Sequence, residues 1–281
     1  MTPTAGTAPR YPHTDPITAD NRYLLEVCRT MDGAVGAWDL NNQTPHALVT
    51  GEDAAGRTDA QVVTAVSALR RGFRVRIADP SRVEFAALRR WPGVQVARTV
   101  GDMVTLVDQT YSLMLRRQRR QDVPLRPEIL ILDQWPQLHA LTTKLWRSCS
   151  AVGEHPMLLK VGEMLALGRA MRVHLVLGIP RPSARNLPPI ICDNARFRLT
   201  LGRLSPEGAA LMWDSPTTGT GLADRSPGHG TVHTARGPAE ADVYRLPILN
   251  LDVPAAALSE QDGMSRRDLF RQVATAQALQ P

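Results

Sequence analysis

The chain has 281 residues, of which 43% are hydrophobic and 21% charged. That balance excludes wholesale disorder and suffices for one large domain, or one domain with appendages. A formal net charge of +6 and a pI near 9.8 can attract nucleic acid or an anionic membrane, and a soluble protein with an Arg-rich surface is the plain alternative. Cys28, Cys149 and Cys192 are scattered, odd in number and without metal-ligand spacing, which argues against a disulfide scaffold or a zinc site. No apolar run is long enough for a transmembrane helix, and the start is not a signal peptide. The expected location is the cytoplasm, with any membrane attachment made through a partner.

In chain order, Pro3, Pro9, Pro12 and Pro16 among Thr and Ala read as a flexible N-terminal arm. The run 46–50 ends at Gly51 and reads as a buried strand. Residues 59–71 then place Val62, Val63, Val66 and Leu69 on one helical face, with Gly72 just past the end. A second strand follows over 73–78, then a helix over 81–90 and a short strand at 94–96. Residues 102–120 form a long amphipathic helix with Met103, Leu106, Val107, Thr110, Leu113 and Met114 inward. Its end carries Arg116, Arg117, Arg119 and Arg120, where cations complement the helix dipole. Ile129 to Leu132 is a continuous apolar run, the pattern of a central parallel strand. A helix over 160–171 and strands over 173–177 and 196–201 complete the rhythm. Residues 216–238, rich in Gly, Pro, Ser and Thr, read as loop. Alternating strands and helices imply an α/β fold built on a mostly parallel sheet.

Two segments carry chemistry. Gly51-Glu52-Asp53-Ala54-Ala55-Gly56-Arg57-Thr58 has the G-x-x-x-x-G-K-[ST] spacing, between a strand and a helix, with Arg57 in the Lys position. Such a loop, with Asp59 after it, turns bare amides toward phosphate, and Thr58 offers a hydroxyl to Mg²⁺. Arg57 keeps the charge on a longer, planar group, while Glu52 and Asp53 oppose a polyphosphate. A plain strand-to-helix turn is the rival reading. The second segment is Glu128 to Asp133, four apolar residues ending in an acid that can organise Mg²⁺. Gln134 stands where such sites carry a general-base Glu; its amide can orient a water but cannot take its proton. A strand ending in an Asp cap is the rival reading there.

With those segments in place the sequence resembles the FtsK/HerA family of P-loop ATPases, including FtsK-like transfer proteins of actinobacterial mobile elements. Three further stretches carry the resemblance. Ile77-Ala78-Asp79-Pro80 through Glu84 is similar to the family's I-D-P-K-x-x-E, with Ser81 for its Lys. The long helix ends Tyr111 to Arg117. Gly168-Arg169-Ala170-Met171-Arg172-Val173-His174-Leu175 through Ser183 looks like G-R-A-x-x-I-H-L-x-x-x-T-Q-R-P-S, with Pro180 at the Gln that senses the γ-phosphate in many members. Asp193 to Leu199 is similar to the strand that follows.

The resemblance spans about 46–235 and implies a RecA-like domain over 29–250, between an arm at 1–28 and a tail at 251–281 with an amphipathic helix near 265–279. It implies ATP and Mg²⁺ as cofactors. Gly51, Asp53, Ala54, Ala55, Gly56, Arg57, Thr58 and Asp59 would bind nucleotide, and Thr58 and Asp133 the metal. Gln134 would be catalytic, with Arg169 and Arg172 acting in trans across a ring of subunits, for which a surface pair with nearby Glu163 is the plain alternative. Double-stranded DNA would meet Arg116, Arg117, Arg119 and Arg120, for which a solvated helix end is the plain alternative. The changes at Arg57, Gln134 and Pro180 touch charge neutralisation, water activation and sensing. Losing one such contact costs on the order of 3–4 kcal/mol of barrier, so hydrolysis is expected to be weak or absent. Two other functions fit the same residues: a catalytically inactive module that docks a partner protein, and a DNA-binding replication or partition regulator.

Overall fold

The computed structural model describes residues 8–12, 15–41, 44–119, 125–153, 155–223 and 226–246. Two antiparallel strands come first, β1 (Leu24–Thr30) and β2 (Val35–Asp39). The α/β core follows as β3 (Ala47–Gly51), α1 (Arg57–Arg70), β4 (Arg74–Ala78), a 3-10 turn (Ala86–Arg90), β5 (Val94–Ala97), α2 (Val100–Arg119) and β6 (Glu128–Leu132). Next are α3 (Trp135–Ser148), α4 (Pro156–Leu167), β7 (Val173–Ile179), α5 (Pro189–Asn194), β8 (Phe197–Leu201) and α6 (Pro206–Trp213). A hairpin of β9 (His229–Thr234) and β10 (Gly237–Val243) ends the described elements.

All of these strands join one sheet, in the order β2-β1-β10-β9-β8-β3-β7-β6-β4-β5. The stretch from β8 to β5 is parallel, and β9, β10, β1 and β2 extend it antiparallel. This mostly parallel sheet flanked by helices is the arrangement of a RecA-like P-loop domain.

The central strands are apolar throughout because both faces are covered. Successive side chains of one strand enter opposite cores. Val49, Ile129 and Ile131 pack with α1 and the β1–β10 side. Leu48, Leu130 and Leu132 pack with α2, α3 and α4. Local signals fix the helix ends. Thr99 and Asp102 form a reciprocal cap at the start of α2, with Asp102 N–H donating to Thr99 Oγ1 at 3.2 Å. The Phe73 N–H returns to the Ala68 carbonyl at 3.0 Å, and Gly72, at φ 74°, turns the chain out of α1.

Several elements differ from the sequence reading. The helix expected over 81–90 is only the short 3-10 turn at its end, because Asp79 accepts from the Ser81 hydroxyl at 2.5 Å and the Arg82 N–H at 2.9 Å and holds that stretch as a turn. The helix expected over 160–171 runs Pro156–Leu167, with His155 as its cap, accepting from the Met157 N–H at 3.0 Å. The segment 216–238, read as loop, contains β9 and the start of β10. From the expected arm, Tyr11 is buried, Arg10 bridges to Arg245, and β1 begins at Leu24. The expected tail helix at 265–279 lies outside the described residues. No described helix is long and apolar enough to cross a membrane.

The β9–β10 hairpin has its own electrostatic clasp. Buried His229 meets Asp242 at 2.7 Å through Nδ1 and Glu240 at 2.8 Å through Nε2. Burial opposes the charged imidazole, but hydrogen bonds and charge from Asp242 and Glu240 outweigh it and raise its pKa. A raised folded-state pKa gives stability that is present below the unfolded value and lost as pH climbs through the folded one. His229→Gln is therefore expected to cost about 2 kcal/mol at pH 6 and clearly less at pH 9, measured by urea unfolding at both values.

Candidate functional site

The strand β3 delivers the chain into a loop at the carboxyl end of the sheet. Gly51 is pressed against Leu201, so a Cβ there would lie 3.0 Å from its side chain. Ala54 (φ 63°) and Gly56 (φ 94°) then take left-handed conformations that turn the loop into the first turn of α1. No side chain caps α1, so its leading N–H groups have no side-chain acceptor at the cap. The Gly228 N–H donates to the Ala55 carbonyl at 2.9 Å, which braces the loop against the β9–β10 hairpin.

Asp133 stands at the end of β6, buried, with its own N–H donating to the Ala78 carbonyl at 3.2 Å. The strands β3 and β6 are not immediate neighbours; β7 runs between them. The loop and the acid meet because β7 carries Gly178 at the crossing. A Cβ there would fall 2.7 Å from Asp133 Oδ1 and 2.3 Å from Gln61 Nε2.

Arg57 crosses this gap. Its guanidinium is 5% exposed, donates to the Gly51 carbonyl through Nη1, and brings Nε to 3.5 Å from Asp133 Oδ1. Burial pushes the Asp133 carboxyl up to about 6, while the Arg57 charge draws it down. Gln134, at φ 47°, opens α3 and faces the cleft.

That cleft has a volume of ≈ 440 Å³. Asp53, Ala54, Gly56, Arg57, Thr58, Asp59 and Gln134 line it. Gly51 and Ala55 complete the loop behind. The cleft also takes in Glu52 and Glu84, so carboxylates dominate its rim. Arg181 reaches Glu52 at 2.8 Å, which sets Pro180 beside the loop. Among the described residues no group of three or more His, Cys, Asp or Glu side chains has metal-binding geometry.

Other expected residues lie elsewhere. Arg169 and Arg172 precede β7, at its amino end, roughly 20 Å of strand away from the loop. Arg172 donates to Asn41 Oδ1 at 2.7 Å and lies over the Tyr23 ring at 4.7 Å. These arginines therefore cannot serve this chain's own loop. The basic end of α2 is also at the far end of the sheet. Arg117 donates to the carbonyls of Met171, Arg172 and Arg126 at 2.8, 3.1 and 2.7 Å, which makes it a structural clamp. Arg116 and Arg119 are exposed, and Arg120 lies outside the described residues.

The sequence reading missed three contributors. Gln61 is fully buried beside Asp133 with neither amide atom hydrogen-bonded. An amide amid Ala60, Val62 and Val63 was its visible signal. Gly178 sat inside a recognised stretch without an assigned role. Glu84 belonged to another, but nothing local tied it to the loop.

No protein-family model matches the chain. Over 190 residues it is 24% identical to the FtsK domain-containing protein YdcQ of Bacillus subtilis (strain 168), a match covering 63% of this chain and 38% of that protein. The chain thus spans well under half the length of that relative. The pCW3 conjugation coupling protein TcpA, in a monomer form with ATPγS, superimposes with a TM-score of 0.67 at 17% identity, over 84% of this chain and 70% of the solved TcpA chain. The cytoplasmic domain of the type VII secretion ATPase EccC of Thermomonospora curvata gives 0.65 at 17% identity, over 92% of this chain and 32% of that one. At such identities the structures establish a shared fold. Homology to YdcQ and the shared fold together match the FtsK/HerA-type P-loop ATPase superfamily.

Proposed function

We propose that this chain is a component of a DNA-translocation or conjugative-transfer machine, with an FtsK-like nucleotide-binding domain that hydrolyses ATP weakly or not at all. The observation that carries this reading is the loop Gly51–Thr58 lying against Asp133 across Gly178, at the carboxyl end of a parallel sheet. Its neighbours in sequence and fold include an FtsK domain protein and a conjugation coupling protein. The free amides opening α1 and the left-handed turn at Gly56 fit a phosphate chain. Gln134 faces the cleft where a proton acceptor would be needed, which supports slow turnover. On this reading the exposed Arg116 and Arg119 would meet duplex phosphate, and Arg169 and Arg172 would act only on a neighbouring subunit of a ring.

Arg57→Lys combined with Gln134→Glu is expected to raise ATP turnover by about 100-fold over the parent chain. Phosphate release, measured with and without duplex DNA, checks this. A parent chain that binds neither ATP nor DNA would rule the proposal out.

A second reading is favoured by one feature. The Arg57–Asp133 pair fills the place that a metal-bound nucleotide needs, and Glu52, Asp53, Asp59 and Glu84 rim the cleft with negative charge. Under that reading the domain is a catalytically inactive module that docks a partner protein. Binding to a transfer-machine partner that is unchanged by saturating ATP would select it.

A further inference from the structure

An FtsK-type site implies a divalent ion at the strand-end acid, and the residues present do not fit one. Asp133 is fully buried and already faces a cation, with Arg57 Nε 3.5 Å from its Oδ1. The same guanidinium donates to the Gly51 carbonyl through Nη1, while its contact with Asp133 is an ion pair without a hydrogen bond: neither Nε nor either carboxylate oxygen has a hydrogen-bond partner. Gln61 is buried alongside, its Nε2 and Asp133 Oδ1 both lying next to Gly178. Mg²⁺ dehydrates reluctantly and keeps several waters, whereas Asp133 has no solvent-exposed surface. A metal ion here would also sit against a permanently charged guanidinium, since Arg does not lose its proton.

We infer that Arg57 is a resident cation: it takes the charge-balancing place at Asp133 that a divalent metal would hold, and it makes the site independent of divalent ions. The Lys expected at this loop position is a compact point charge that can swing toward phosphate. Arg57 instead spans from Gly51 to Asp133, joining two strand ends across Gly178. The inference deepens the proposed function but does not share its fate, because it concerns the ion at Asp133 whether or not nucleotide binds.

Mn²⁺ binding, followed by loss of the free-ion paramagnetic resonance signal, tests it on the full chain. The parent chain is expected to show no saturable Mn²⁺ site, and Asp133→Asn to leave its titration unchanged. Arg57→Ser is expected to gain a saturable Mn²⁺ site that Arg57→Ser/Asp133→Asn loses again. Should Arg57→Ser fail to fold, Arg57→Gln takes its place with the same expected gain, since it removes the guanidinium charge and keeps an amide N–H that can donate to the Gly51 carbonyl. A fluorescent ATP analogue adds a second arm: its Kd for the parent chain should agree within about twofold between excess Mg²⁺ and EDTA. A saturable Mn²⁺ site in the parent chain that Asp133→Asn abolishes overturns the inference. So does an Arg57 variant that gains no site, or analogue binding strengthened about tenfold by Mg²⁺. If the analogue binds under neither condition, the nucleotide reading fails and the Mn²⁺ arm alone judges the resident cation.

Discussion

Replacing Arg57 by methionine is expected to destabilise the fold by about 3–5 kcal/mol at pH 8. Methionine fills much of the volume and keeps the helix start, so the loss is electrostatic. It strands Asp133, a carboxylate with no solvent contact, without its cationic partner. The penalty should depend on pH with a defined sign. Burial already pushes Asp133 up to about 6 against the pull of Arg57, and removing that pull raises it further. The neutral acid is tolerated in the interior, so the variant recovers stability as pH falls and the carboxyl takes up a proton. Urea unfolding at pH 8 and pH 5 should show the larger loss at pH 8. The double variant Arg57→Met/Asp133→Asn should regain most of the deficit, because a buried pair removed together leaves no lone charge. Equal losses at both pH values would mean that the damage is packing, and the Arg57–Asp133 pair is then not what holds the loop.

The second large effect is expected at Gly56. An added Cβ would stand 2.6 Å from the Gly228 nitrogen and 2.9 Å from its Cα. Both are backbone atoms and cannot rotate away. The residue also sits at φ 94°, which side-chain-bearing residues rarely adopt. Strain and overlap together should cost Gly56→Ala roughly 3 kcal/mol or more. The damage should be local, since the Gly228 N–H is what ties the β9–β10 hairpin to the loop through Ala55. Native-state hydrogen exchange should show the Gly228 amide losing protection first. Gly33→Ala is the control: its φ is 87° but nothing lies within 4 Å, so only the conformational cost of about 1 kcal/mol remains.

These two positions also mark what is legible in a single sequence. The strand runs at β3, β6 and β7 were readable because their apolar residues are contiguous, and contiguity is a local property. The helix α1 was readable for the same reason, from Val62 to Leu69 on one face. The β9–β10 hairpin was not. His229-Gly230-Thr231 carries little apolar signal, and Gly230 is there because a Cβ would lie 1.9 Å from the Thr200 carbonyl oxygen on β8. That requirement is set by a strand roughly thirty residues away, so no window of sequence around Gly230 contains it. The basic end of α2 misled in the opposite direction. Four arginines in five positions look alike as a string, yet Arg117 is spent on three carbonyls while Arg116 and Arg119 remain exposed.

By itself the sequence determined the class of the fold and singled out the two segments that meet at the carboxyl end of the sheet, because glycine spacing, helix periodicity and an acid after four apolar residues are encoded within short windows. Tertiary structure alone decided that Arg57 turns inward onto Asp133, that Gly178 opens the gap between them, and that Arg169 and Arg172 stand at the far end of the sheet. Each of those is a distance between strands, and strand order is fixed by the packing of the whole chain rather than by any stretch of it.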